Sequence, residues 1–97
     1  MAFTVMARLK ARAGHEADVA KRLSDICAKT RSEPGTQVFT VYKSLEDPSV
    51  FVIYEVYNDK AAFETHFNAS YVQENLAKFK DITEAAAHDL LGEVAHR

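Results

Sequence analysis

Apolar and polar positions alternate with a period of two over residues 3–10, placing Phe3, Val5, Ala7 and Leu9 on one side and Thr4, Met6, Arg8 and Lys10 on the other. That period predicts a strand with one dry face and one partly wet face. The period becomes helical over residues 15–31. There Val19, Leu23, Ile26, Cys27 and Thr30 line one side, with Asp18, Lys21, Arg22, Asp25 and Lys29 outside, as in a long amphipathic helix. Glu33-Pro34-Gly35 ends it, because proline cannot continue the hydrogen-bond ladder and glycine accepts the angles of a helix exit. Residues 36–43 (TQVFTVYK) and 50–57 (VFVIYEVY) read as two further strands. Leu45 to Ser49 forms the turn that joins them into a hairpin.

The strand at 50–57 is β-branched or aromatic at every position but Glu55, which predicts burial on both faces. Phe51, Ile53, Glu55 and Tyr57 share one face; Val50, Val52, Tyr54 and Val56 share the other. Asn58 or Asp59 then caps a short helix in which Ala62 and His66, and beside them Phe63 and Phe67, stack four apart. His66 therefore falls on an apolar stripe. Ser70-Tyr71-Val72-Gln73 has the spacing of a capping box, and Val72, Leu76 and Phe79 form the buried line of the next helix. Residues 81–88 are expected to continue that helix through its alanines, with a short closing strand at about 88–95 interrupted at Gly92.

The order β-α-β-β-α-(α)-β gives an α+β fold, a ferredoxin-like split βαβ arrangement with a four-stranded antiparallel sheet and helices on one face. The other face of the sheet then needs a cover, since monomers rarely expose so large an apolar patch. A two-fold homodimer with sheets packed face to face is expected, its last strand or tail reaching across.

Composition narrows the function. The chain has 97 residues, 47% hydrophobic and 27% charged, and is read as a single domain spanning 1–97, near the low end of size for an adequate core. A formal net charge of -2 with interspersed signs gives no basic face, so nucleic acid and membrane surfaces are not expected partners. The start MAFTVMARLK lacks a long apolar segment and no run of about 18 apolar residues occurs, so a cytoplasmic location is expected. Cys27, the only cysteine, cannot form an internal disulfide. No HExxH, paired CxxC, GxSxG or glycine-rich phosphate loop occurs, so neither a metal nor a nucleotide cofactor is expected.

The segment YEVYNDKAAFETHFNASYV resembles the antibiotic biosynthesis monooxygenase family of dimeric α+β barrels: a strand ending in Glu-x-aromatic, a short gap, an Ala-Phe pair, then a histidine. Gly14, Pro34-Gly35 and Glu46-Asp47-Pro48 match the family's supporting features in order. The resemblance implies oxygenation of a small aromatic quinol or phenol by dioxygen without a cofactor, the substrate itself supplying the electrons. An ordinary phenol has a pKa of about 10, so ionising it at pH 7 costs roughly 4 kcal/mol, which a base and hydrogen-bond donors in a dry pocket offset. His66 is the candidate base; Glu55 would orient it or stabilise imidazolium, and Tyr57 would supply a hydroxyl. Tyr71, Tyr54, Tyr42 and Phe67 are the candidate substrate-binding residues. The chain departs from the pattern where the family's second histidine is replaced by Tyr71 and its frequent tryptophan by Tyr57. Relative to the haem-degrading branch, the asparagine, tryptophan and haem-ligating histidine fall at Ala7, Tyr57 and Leu76, so haem is not expected. Two alternatives stay open: an isomerase or other proton-transfer enzyme on a small oxygenated metabolite, and a ligand-binding dimer module. Plain structural roles also stay open, with His66 as a packing residue and Glu55 as an ion-pair partner or cap.

Overall fold

A computed structural model describes residues 2–97. Four strands, β1 (Phe3–Ala11), β2 (Thr36–Lys43), β3 (Val50–Tyr57) and β4 (Thr83–Leu91), and three helices, α1 (Glu16–Lys29), α2 (Lys60–Phe67) and α3 (Ser70–Ile82), follow in the order β1-α1-β2-β3-α2-α3-β4. A single 3-10 turn, Thr30–Ser32, extends α1. The strands form one antiparallel sheet in the spatial order β2-β3-β1-β4, so β3 and β1 are central. This is the ferredoxin-like α+β arrangement.

Register fixes the two faces. Val5 lies opposite Glu55, Ala7 opposite Ile53 and Leu9 opposite Phe51, and residues paired across a ladder point the same way. Phe39 joins them from β2, opposite Glu55. The helices pack on this side: Leu9, Phe51 and Ile53 are buried with Val19, Leu23 and Ile26 of α1 and Val72, Phe79 and Ile82 of α3. Burying a side chain of this kind is worth about 1.5–3 kcal/mol, so the helix face is where the fold gets its stability. The opposite face carries Met6, Tyr54 and Thr40 across one row and Arg8, Val52 and Tyr42 across the next. No helix covers it.

Several local details differ from the expectations above. Asp59 is the cap of α2, its Oδ1 accepting from the Ala62 N–H at 2.8 Å. The capping box at the next helix does not form. Ser70 is already inside α3, Ala69 occupies the cap position without a side-chain bond, and Gln73 donates instead to the Phe67 carbonyl at 2.6 Å. Of residues 81–88 only Asp81 and Ile82 continue the helix, and the closing strand overlaps the expected 88–95 only at 88–91. Helix α3 stops at Ile82 and β4 runs Thr83–Leu91, with Gly92 beyond its end. The alanines favour helix locally, but Ala85, Ala86 and Ala87 sit opposite Lys10, Leu9 and Arg8 and complete the ladder that β1 would otherwise leave open. Pairing outweighs a propensity of at most about 0.7 kcal/mol per residue. Buried Thr83 marks the switch, its hydroxyl donating to the Phe79 carbonyl at 2.5 Å while the Arg12 N–H donates to the Ile82 carbonyl at 2.9 Å.

Candidate active site

Between the sheet and the helices lies a cavity of about 200 Å³. Its walls come from every layer: Val5 and Ile53 below, Phe39 at one side, Phe63 and Phe67 of α2, Leu76 of α3, and Ala86 to His88 of β4. The lining is mostly apolar. Three groups able to handle protons interrupt it: Glu55, His66 and His88.

His66 is brought there by α2. Being four residues after Ala62, it lies on the stripe that faces the sheet, and its side chain is 5% exposed. The ring sits among aromatic neighbours, with centroids 5.4 Å from Phe39, 5.5 Å from Tyr57 and 6.2 Å from Tyr71, the last edge-on. Its Nδ1 is 2.9 Å from Glu33 Oε1. Among the described residues Nε2 has no protein partner, and no buried side-chain polar atom is left unsatisfied. Nε2 is therefore the ring nitrogen available to a ligand.

Glu33 was read from sequence only as part of a helix stop. Here it is the centre of a polar cluster: Oε1 also accepts from the Thr36 hydroxyl at 2.9 Å, and Oε2 accepts from the Tyr71 hydroxyl. Burial pushes its carboxyl up, but the bonds from Tyr71, His66 and Thr36 outweigh that and hold it below the usual glutamate value. Burial, and then the bond to Glu33, raise the Tyr71 phenol well above its ordinary range. The Lys29 ammonium lies 5.4 Å over the Tyr71 ring. No periodicity links residues 33, 66 and 71; the one available signal is that a residue before proline is held extended, which fixes where its side chain leaves the chain.

Glu55 lies on the cavity floor, bonded to its own strand neighbour. The Tyr57 hydroxyl donates to Glu55 Oε1 at 2.5 Å. Burial pushes the Glu55 carboxyl up to about 7, and the bond from Tyr57 opposes the rise without cancelling it. Tyr57 is fully buried, and burial together with the neighbouring Glu55 raises its phenol far beyond the ordinary value. Glu55 thus makes no bond to the imidazole, whose Nδ1 meets the Glu33 carboxylate instead.

His66, Glu55 and Phe67 meet at the cavity, while Tyr57 and Tyr71 stand behind it, bonded to the two carboxylates. Tyr54 and Tyr42 are not in the site. They lie on the uncovered face of the sheet, 37% and 55% exposed, because even-numbered positions of β3, and of β2 beyond the bulge at Thr36, point away from the helices. No group of three or more histidine, cysteine or acidic side chains is arranged to hold a metal ion among the described residues.

The family model described as antibiotic biosynthesis monooxygenase matches residues 2–78. Among solved structures, a protein from Mycobacterium tuberculosis superposes with a TM-score of 0.92 at 20% identity, over 99% of this chain and 98% of that one. A putative antibiotic biosynthesis monooxygenase from Deinococcus radiodurans gives 0.83 at 26% identity, over 100% and 98%. Another from Nitrosomonas europaea gives 0.89 at 17% identity, over 96% and 90%. A search of curated proteins found no match. With a family model covering most of its length and the same fold throughout, the chain belongs to the antibiotic biosynthesis monooxygenase family.

Proposed function

We propose that this protein is a cofactor-independent monooxygenase that oxidises a small aromatic quinol or phenol with dioxygen, His66 acting as the base. The observation that carries the reading is His66 itself: one ring nitrogen is held by Glu33, and the other is free beside an apolar cavity. In such a reaction Nε2 takes the phenolic proton, and the electron-rich phenolate passes an electron to dioxygen. The radical pair joins as a peroxide on a ring C–H carbon, the peroxide takes back the proton held by His66, and loss of water leaves a quinone carbonyl; the phenolic O–H, the ring C–H and O2 become two C=O groups and H2O. Desolvation alone opposes ionising the phenol, and the imidazolium that forms beside the phenolate offsets it, because their attraction strengthens where water is excluded. The cavity is below the 300–1,000 Å³ or so typical of drug-sized pockets, which suits a ligand of one or two rings. No lysine or arginine lines it, which favours an uncharged ligand over a phosphorylated one.

A two-fold homodimer forms part of the proposal, supported by the sheet face that no helix covers. One feature favours a second reading. Glu55, its carboxyl raised to about 7, shares the cavity with His66 and could return a proton that His66 removes, as an isomerase requires. The two readings separate on oxygen. Oxygen uptake by metal-stripped protein, with a panel of hydroquinones, naphthoquinols and phenols and corrected for autoxidation, is expected to depend on His66 and to fall about 10²-fold or more in His66→Ala. Equal uptake in the variant removes His66 as the base. Turnover that persists without oxygen selects the isomerase, and binding of small aromatics with no turnover selects a binding module.

A further inference from the structure

We infer that Glu33 is the positioning residue of the site: its carboxylate holds neutral His66 in the tautomer protonated at Nδ1 and so keeps the lone pair on Nε2, toward the cavity. The inference rests on the reading of His66 as base. It follows from the donors around one carboxylate. Thr36 and Tyr71 each donate a hydroxyl hydrogen to Glu33, one per oxygen. An ionised carboxylate has no hydrogen to give, so the 2.9 Å contact with Nδ1 requires the ring to donate. In a neutral imidazole the other nitrogen is then the acceptor.

No other group near the ring is bonded to it among the described residues. The Tyr57 hydroxyl is taken by Glu55 and the Tyr71 hydroxyl by Glu33. Glu55 and His88 face His66 across the cavity from β3 and β4, and Lys29 of α1 lies over Tyr71. None of them has a bond to the ring among the described residues. The backbone holds both ends of the pair. Glu33 is extended, with φ −98° and ψ 105°, as a residue before proline prefers. Gly35 packs against Ala62, one turn before His66, and its carbonyl accepts from the Asn58 N–H at 2.9 Å. When Nε2 takes a proton, the imidazolium is already paired with an anion. Glu33 itself does not line the cavity, so it acts through His66 and not on the ligand.

The test is the proton's position, read without substrate. In uniformly 15N-labelled full-length protein, two-bond nitrogen–proton correlations distinguish the tautomers, and His66→Ala assigns the signal among the four histidines. Wild type and Glu33→Gln, whose amide oxygen still accepts, are expected to show neutral His66 protonated at Nδ1. Glu33→Ala is expected to move most of the population to Nε2–H, and Glu33→Leu, which keeps the bulk, to do the same if truncation impairs folding. With a substrate in hand, Glu33→Ala lowers kcat by about tenfold or more while KM stays within about threefold. Wild-type His66 protonated at Nε2, or an unchanged tautomer in both Glu33→Ala and Glu33→Leu, overturns the inference. Because the tautomer needs no turnover, an absence of oxygen uptake bears on the proposed reaction and leaves this readout standing.

Discussion

Glu55 is a carboxyl placed where ionisation is expensive, and that gives stability a pH dependence. Its folded value of about 7 lies above the ordinary 4.5, so the native state binds the proton more tightly than the unfolded chain does. The contribution is fully present below about 4.5 and is lost as pH rises to about 7, above which it stays lost. Glu55→Gln removes the group that ionises, and Tyr57 can still donate to the amide oxygen. The variant is expected to be more stable than wild type at pH 8, by up to about 3 kcal/mol, and no more stable at pH 4. Urea unfolding across pH 4–9 measures this, and parallel curves for the two proteins would rule Glu55 out as the titrating group. The sequence singled Glu55 out because a charge interrupted an apolar strand. Tyr57, two residues on and therefore on the same face, was singled out as a hydroxyl for substrate, whereas its hydroxyl donates to Glu55.

At the scale of elements, the site depends on how closely α2 approaches the loop before β2. A Cβ on Gly35 would come within 2.6 Å of the Ala62 Cβ, too close for either to remain in place. Only glycine allows this approach, and it brings Glu33 and His66, which flank the contact, within bonding distance. Gly35→Ala is expected to cost about 1–3 kcal/mol of stability, the usual range for overpacking. Adding Ala62→Gly should return part of that despite glycine's own cost of about 1 kcal/mol in a helix. A double-mutant cycle by chemical denaturation checks the pair; strictly additive effects would mean that the loop and helix do not press on each other. The strand β4 teaches a related lesson. Its alanines carry no strand signal of their own, and only the open edge of β1 makes them one.

For the whole molecule, the uncovered face sets the expectation of a second copy. Met6, Val52 and Tyr54 near its middle, and exposed Tyr42 and Leu91, leave apolar surface beside Arg8 and Asp89 on the same face, of the mixed kind found at interaction surfaces. In a two-fold pair Tyr54 of each copy would lie near the interface, directly beside Met6 and Thr40 in its own sheet and with Arg8 one row away on the same face. Tyr54→Arg, which sets a second positive charge beside Arg8 in each copy, is therefore expected to turn a dimer into single chains in sedimentation velocity, while leaving the helix-side cavity intact. Wild type that remains a single chain at high micromolar concentration would refute the paired arrangement. No helix of the described residues is long and apolar enough to cross a membrane.

The alternation along β1, the unbroken apolar run of β3, the helical period of α1 and the Pro34-Gly35 stop were sufficient for the order of elements and hence the ferredoxin-like topology, because each is a local pattern that burial or backbone geometry rewards directly. His66 was legible for the same reason, as a polar residue on an apolar stripe. What tertiary structure alone decided is which groups meet. Glu33, His66 and Tyr71 converge from a loop and two helices with no common period, and Tyr42 and Tyr54 part from the site because the sheet has two faces while helices cover one. Strand or helix at residues 83–91 was likewise settled by an unpaired edge far away in sequence. Local pattern specifies how a segment folds; the chemistry of a site depends on distances between segments, and those are set by packing.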